Sequence, residues 1–162
     1  MDTRTPEARS RNMSRVRSTD TRPEFVLRSL LHRAGFRFRL KRADLPGHPD
    51  LTLPRHRCVI FVHGCFWHRH QGCKRATMPA THREKWALKF EKNVRRDAEV
   101  RAALEALGWK VLVVWECELM KDPELTVQKL IEKIGHKRSY LLPEKREILK
   151  AAEEKFQMKF KS

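Results

Sequence analysis

The sequence has no run approaching the ~20 apolar residues that a bilayer span requires, and its first residues carry no apolar signal region. A cytoplasmic protein with no membrane partner is therefore expected. Acidic residues are scarce, 20 against 36 Lys and Arg, which leaves a formal net charge of +16. Such an excess points to a polyanion, with nucleic acid first among the candidates, because neutralising phosphates releases counterions. A membrane surface fits less well, since no basic helix carries a wide apolar face rich in Trp and Leu. No half of the 162 residues is of low complexity, so one compact domain is the default. There are only four cysteines, and in a cytoplasmic protein they read as thiols or metal ligands before disulfides.

The most informative stretch is Cys58 to Cys73, CVIFVHGCFWHRHQGC. Its apolar opening, Cys58 to Val62, is short, β-rich and close to a glycine, as in a buried strand. Directly after Gly64 come Cys65, Phe66, Trp67, His68, His70 and Cys73. Metal-type ligands and large aromatics set on a rigid strand describe a working loop.

Around this stretch the chain alternates helices and strands. Residues 1–21 hold few apolar side chains and a series of arginines, Arg4, Arg9, Arg11, Arg15 and Arg17, and read as an arm that orders on a duplex. Met13 is either a wedge between bases or an idle group on a solvated tail. Pro23 opens a helix whose apolar stripe is Val26, Leu27, Leu30, Leu31 and Ala34, closed by Gly35. Glu24, in its first turn, suits the helix dipole. Phe36–Leu40, FRFRL, alternates like a strand with one wet face. The turn LPGHPD then delivers Asp50 to a short strand, Leu51–Leu53, where the carboxylate either binds a metal or caps the turn. A long helix is expected over 82–106, with Trp86, Phe90, Val94, Leu104 and Leu107 toward the core. Asn93 and Asp97, four apart, share one of its faces. Trp109–Trp115 is a second buried-strand run, Pro123–Ile134 a helix capped by Gly135, and the tail from Tyr140 a basic amphipathic helix. Helices between apolar strands imply an α/β fold, a mixed sheet with helices on its faces.

Cys65, His70, Cys73 and Cys117 can complete a four-coordinate zinc shell, with His68 competing for the place of His70 and Cys58 a small core residue. Phe66 and Trp67, inside that loop on a basic protein, suggest stacking with bases or wedging into a duplex; packing beneath the loop is the alternative.

Five blocks together resemble the very-short-patch repair endonucleases: RSRNM (Arg9–Met13), LPGHPD (Leu45–Asp50), CVIFVHGCFWHRH (Cys58–His70), KNVRRD (Lys92–Asp97) and LGWKVLVVWECEL (Leu107–Leu119). The resemblance runs from about Arg9 to Leu130. It implies a restriction-endonuclease-like fold with a structural Zn²⁺ and a Mg²⁺-dependent nick on the 5′ side of the thymine in a T·G mismatch left by deamination of 5-methylcytosine. Asp50 is then the metal carboxylate and His68 the residue that activates or positions water. Glu24, His63 and Asp97 support the metal-bound waters and the histidine. Cys65, His70, Cys73 and Cys117 hold zinc, and Phe66, Trp67 and Met13 form the wedge.

Two features depart from the wider pattern. The nuclease superfamily usually follows its metal aspartate with a second carboxylate and a lysine. Here the strand ends Phe61-Val62-His63, so Val62 offers magnesium only its backbone carbonyl. Gln71-Gly72 separates His70 from Cys73, which leaves the choice of histidine ligand open. The expected organisation is an arm over 1–21, an endonuclease domain over 22–137 and a basic helical extension over 138–162 of a monomer. The expected setting is nucleoid-associated, with a cytosine-5 methyltransferase system and mismatch-repair proteins as partners. A zinc-stabilised module that binds distorted DNA without cutting it is the competing reading.

Overall fold

The helix α1 spans Arg22–Arg33 and begins where Pro23 and Glu24 dictate. Proline suits the first turn, where its missing N–H costs nothing. Glu24 reaches back to the N–H and hydroxyl of the N-cap Thr21, at 3.3 and 2.8 Å. The expected stripe of Val26, Leu27, Leu30 and Leu31 is fully buried. Gly35 follows the helix end with φ +85°, a conformation glycine takes without steric cost. The computed structural model describes residues 5, 8, 11, 12, 15–135 and 145–160.

The sheet has three strands in the order β1 (Leu51–Leu53), β2 (Cys58–His63), β3 (Lys110–Trp115). β1 and β2 are antiparallel, joined by a 3-10 turn over Pro54–His56 that Arg57 closes in the left-handed region. β2 and β3 are parallel, with Cys58 opposite Lys110 and His63 opposite Trp115. A parallel pair needs a long crossover, and the helix α2, Arg83–Ala106, lies in it. Two further helices, α3 (Glu116–Lys121) and α4 (Pro123–Ile134), follow β3, and α5 (Lys145–Phe160) is the last.

Strand alternation divides the core. Cys58, Ile60 and Val114 point into the main cluster with α1, α3, α4 and Ala152 of α5. Val59 and Val111 point the other way, to Leu104 of α2, with Phe61 packed beside them. A mixed three-stranded sheet flanked by helices is thus present, as the sequence leads one to expect. Among the described residues no helix is long and apolar enough to cross a membrane.

Two local expectations need correcting. Phe36–Leu40 is not a strand: only Arg39 pairs, exchanging bonds of 2.8 and 2.9 Å with Thr52. β1 offers just three residues, and Lys41 turns the chain away at φ +54°. Val94 and Leu107 do not face the core but are 47% and 54% exposed. The positions of α2 that lose solvent are Trp86, Phe90, Asn93, Asp97, Val100 and Leu104, a single stripe at spacings of four and three. α3, a six-residue helix beginning straight after β3, gave no periodic signal in the sequence.

Candidate functional site

Asp50 is placed by the turn before it and the strand beside it. Gly47 adopts φ +71°, and a Cβ there would lie 2.3 Å from Cγ1 of Val100, so the turn packs directly on α2. With Leu51 opposite Ile60, Asp50 falls alongside the end of β2. Its Oδ2 accepts the Val62 N–H at 2.7 Å. Burial, reinforced by the charge of Glu24, pushes the carboxyl up to about 6, against the pull of that N–H. A buried carboxylate destabilised in this way is a ready partner for a cation.

His68 follows β2 on the loop, and His63 ends the strand. Nδ1 of His68 lies 2.6 Å from Oδ2 of Asp97, which the α2 stripe aims at the sheet. An aspartate carboxylate accepts, so Nδ1 carries a proton, and in the neutral form of the ring Nε2 keeps a lone pair. The rings of His63 and His68 stack at 3.8 Å and 9°. Burial first, and then the neighbouring His68, push the pKa of His63 down and favour its neutral form. Asp50, Val62, His63, His68 and Asp97 all line one cavity of about 700 Å³. An adjoining cleft shares Asp50, Val62 and His68 and adds Glu24, Trp67 and Asn93.

The cysteines gather on the other side of the loop. Ligand atoms of Cys65, His70, Cys73 and Cys117 lie within 4.8 Å of one another. Nδ1 of His70 is 3.5 Å from Sγ of Cys65 and 3.3 Å from Sγ of Cys117. Tetrahedral zinc, with bonds of about 2.1–2.3 Å, sets neighbouring ligand atoms roughly 3.6 Å apart, so three thiols and one imidazole fit it in type and spacing. Burial pushes the thiol of Cys65 up, so a cation there would displace a tightly held proton. His70, not His68, is the histidine whose ring lies among these thiols. Trp115 stacks on His70 at 4.1 Å and 3°, and Oε1 of Glu118 is 4.0 Å from its Nε2. Cys58 is buried in the main core, apart from the group.

Phe66 and Trp67 are half-buried rather than pushed fully outward. They meet edge to face at 5.1 Å, and Trp86 joins them at 5.4 and 5.9 Å. Phe90 closes the group from below, 5.1 Å from Phe66. The ammonium of Lys89 sits 4.9 Å over Trp67 and 5.3 Å over Trp86. Nδ2 of Asn93 donates to the Trp67 carbonyl at 3.1 Å and ties the loop to α2. Trp86 is a member that sequence reasoning assigned to the core. Asn93 had a signal, its spacing from Asp97. Met13 lies outside the described residues.

Glu24 is buried and multiply bonded. Besides Thr21 it accepts the Asp20 N–H at 3.0 Å and Nη2 of Arg28 at 2.6 Å. Arg28 also holds Oδ1 of Asp20 at 2.7 Å. Neither Asp20 nor Arg28 was singled out from the sequence, because their partnership spans the turn that starts α1.

Residues 1–75 match the family described as DNA mismatch endonuclease Vsr. The DNA mismatch endonuclease Vsr of Escherichia coli (strain K12) is 47% identical over 126 residues, covering 78% of this chain and 80% of that protein. The type II nicking enzyme V.XorIIP of Xanthomonas oryzae pv. oryzae (strain KACC10331 / KXO85) is 53% identical over 118 residues, 73% of this chain and 86% of that one. This chain belongs to the Vsr family. A third relative, the type II nicking enzyme V.NmeAIP of Neisseria meningitidis serogroup A, is 40% identical over 115 residues, 71% of this chain and 81% of its own. The Vsr family match over 1–75 contains Asp50, His68 and Cys65 to Cys73, and stops before Asp97 and Cys117. The fold brings those two residues to His68 and His70 respectively.

Proposed function

We propose that this protein is a Mg²⁺-dependent DNA mismatch endonuclease that nicks one strand on the 5′ side of the thymine in a T·G mismatch. The observation that carries this reading is the convergence, in a Vsr-family chain, of a buried Asp50 and the His68–Asp97 pair on one cavity.

Asp50 and the carbonyl of Val62 would hold magnesium, which accepts hard oxygen donors and is not confused with the thiolate and imidazole set. Bound magnesium neutralises charge on the phosphoryl group and lowers the pKa of a water. His68 takes the proton of the attacking water on Nε2 while Asp97 fixes its tautomer and orientation. His63, stacked beneath it and neutral, keeps the ring from rotating. Glu24 sets water around Asp50 from the start of α1. Cys65, His70, Cys73 and Cys117 would hold zinc, which pins the loop between β2 and α2 so that His68 stays over Asp50.

Phe66, Trp67 and Trp86 form a half-exposed aromatic platform beside the cavity, and on a chain of charge +16 they suit a base step opened at a mismatch. Unstacking costs a few kcal/mol, least where pairing is already weak, so insertion selects mispaired DNA before any base edge is read. Met13 would act from the arm in the same way. Deamination of the 5-methylcytosine that a cytosine-5 methyltransferase makes would be the source of such mismatches.

The test is direct. Labelled T·G and T·A duplexes are incubated with the protein in magnesium or in EDTA and resolved on a denaturing gel. A product cut on the 5′ side of the thymine is expected only with T·G and magnesium. Absence of any magnesium-dependent product across several flanking sequences would leave a binding module for distorted DNA.

A further inference from the structure

Part of the cavity wall is made by the chain just before α1. Ser18 and Thr19 line the cleft that holds Asp50 and His68, and Arg17, Ser18, Thr21 and Glu24 line the adjoining one. This wall has no regular structure of its own between residues 15 and 21. It is held instead from behind, by the last helix.

α5 lies against α1. Ala152 is fully buried in the main core, and Phe156 meets Phe25 edge to face at 5.8 Å. Arg17, on the wall, sits 6.0 Å over the Phe156 ring. One turn on, the ammonium of Lys159 lies 2.7 Å from Oδ2 of Asp20 and 5.6 Å over Phe25. Asp20 is 8% exposed and adopts φ +56°. Its other oxygen binds Arg28, which binds Glu24, whose carboxylate in turn accepts the Asp20 N–H. Lys41 is the only other cation near Asp20 among the described ion pairs, more distant at 3.6 Å. An ionic chain therefore runs from the end of α5 to a carboxylate beside Asp50.

We propose that Lys159 is a positioning residue for the nicking reaction: through Asp20 and Arg28 it fixes the 16–24 wall and Glu24 against the cavity. α5 is then a brace for the active site, not a solubilising tail or an extension of the DNA footprint. The inference rests on the nuclease reading above. Lys159 acts from outside the cavity, so its loss should slow the reaction of bound DNA without weakening binding.

Five forms of the full chain test this: wild type, Lys159→Met, Lys159→Arg, Asp20→Asn and the double variant K159M/D20N. Methionine keeps the stem over Phe25 and removes the charge; arginine restores it. Single-turnover nicking under saturating T·G duplex should fall roughly 3- to 10-fold in K159M, the scale of coupling through a packed network. Duplex Kd and zinc content should stay as in wild type, and K159R should recover the rate. In the Asp20→Asn background the lysine substitution should cost nothing more, because its partner is gone. Amide exchange at Asp20, Thr21 and Glu24 should accelerate in K159M. Wild-type rate or wild-type exchange in K159M overturns the proposal. So does an equal loss in both backgrounds, which uncouples Lys159 from Asp20, or a loss confined to Kd, which makes Lys159 a phosphate contact. If wild type nicks no duplex, the nuclease reading falls, and the exchange data alone decide whether the brace exists.

Discussion

Nδ1 of His68 and Oδ2 of Asp97 are 2.6 Å apart, although 29 residues separate them in sequence. The contact exists because α2 turns one stripe inward, and that stripe changes from apolar Val100 and Leu104 to polar Asp97 and Asn93 as it reaches the end of β2. Asp97→Asn keeps the shape but allows the wrong tautomer of His68. Its single-turnover nicking rate should fall by about 10²-fold, the usual scale of one general-base partnership, with T·G binding retained. Equal rates for D97N and wild type would remove Asp97 from the reaction.

The burial of Asp50 makes proton and cation compete. Its carboxyl titrates near 6 in the folded protein, above the ordinary 3.8. The folded state thus holds the proton more tightly than the unfolded one. Cation-free protein should accordingly lose stability as pH rises from about 3.8 to about 6, because burial penalises the charge that appears. Magnesium should restore more stability above this window than below it. In nicking assays the acid limb should lie near 6 at low magnesium and move to lower pH as magnesium increases. An acid limb independent of magnesium would separate it from Asp50.

Cys117 closes the thiol and imidazole group from α3, far in sequence from its three companions. Cys117→Ser should lower bound zinc, measured by atomic absorption, and reduce Tm. Removing zinc with a chelator should have the same effect on wild type and little further effect on the variant. Wild-type zinc content in C117S would exclude Cys117 as a ligand.

Trp67 and Trp86 share one face of the aromatic group but arise from different elements. Trp67→Ala and Trp86→Ala should each weaken T·G binding more than T·A binding, since stacking on an opened step contributes ~1–3 kcal/mol per base. Equal losses on both duplexes would make the pair a packing unit of the loop. Tm separates the two outcomes further, because a packing role predicts a large fall.

Much of this was legible in the residues themselves. The α1 stripe, the strand over Cys58 to Val62 and the proline-bounded α4 are local patterns, although Phe61 and Val62 of that strand are only partly buried. The turn LPGHPD announced that an acid would be delivered to a strand, and the antiparallel register then placed it on Val62. What could not be read was contact across the sheet. Trp86 carries the same apolar signature as Phe90, and only the angle of α2 leaves it half exposed beside Phe66. The strand expected over Phe36–Leu40 had the right alternation but no partner longer than β1. Arg28 carried no signal of its own in the sequence, yet it links Asp20 to Glu24.

The most direct measurement is nicking by Asp50→Ala on a T·G duplex in magnesium, with binding followed in parallel. The account predicts that the variant binds the mismatch at least as well as wild type, having lost a negative charge in the cleft, and releases no nicked strand. Cleavage at the wild-type rate would contradict it, because among the described residues the neighbouring carboxylates Asp97 and Glu24 are already engaged, by His68 and by Arg28.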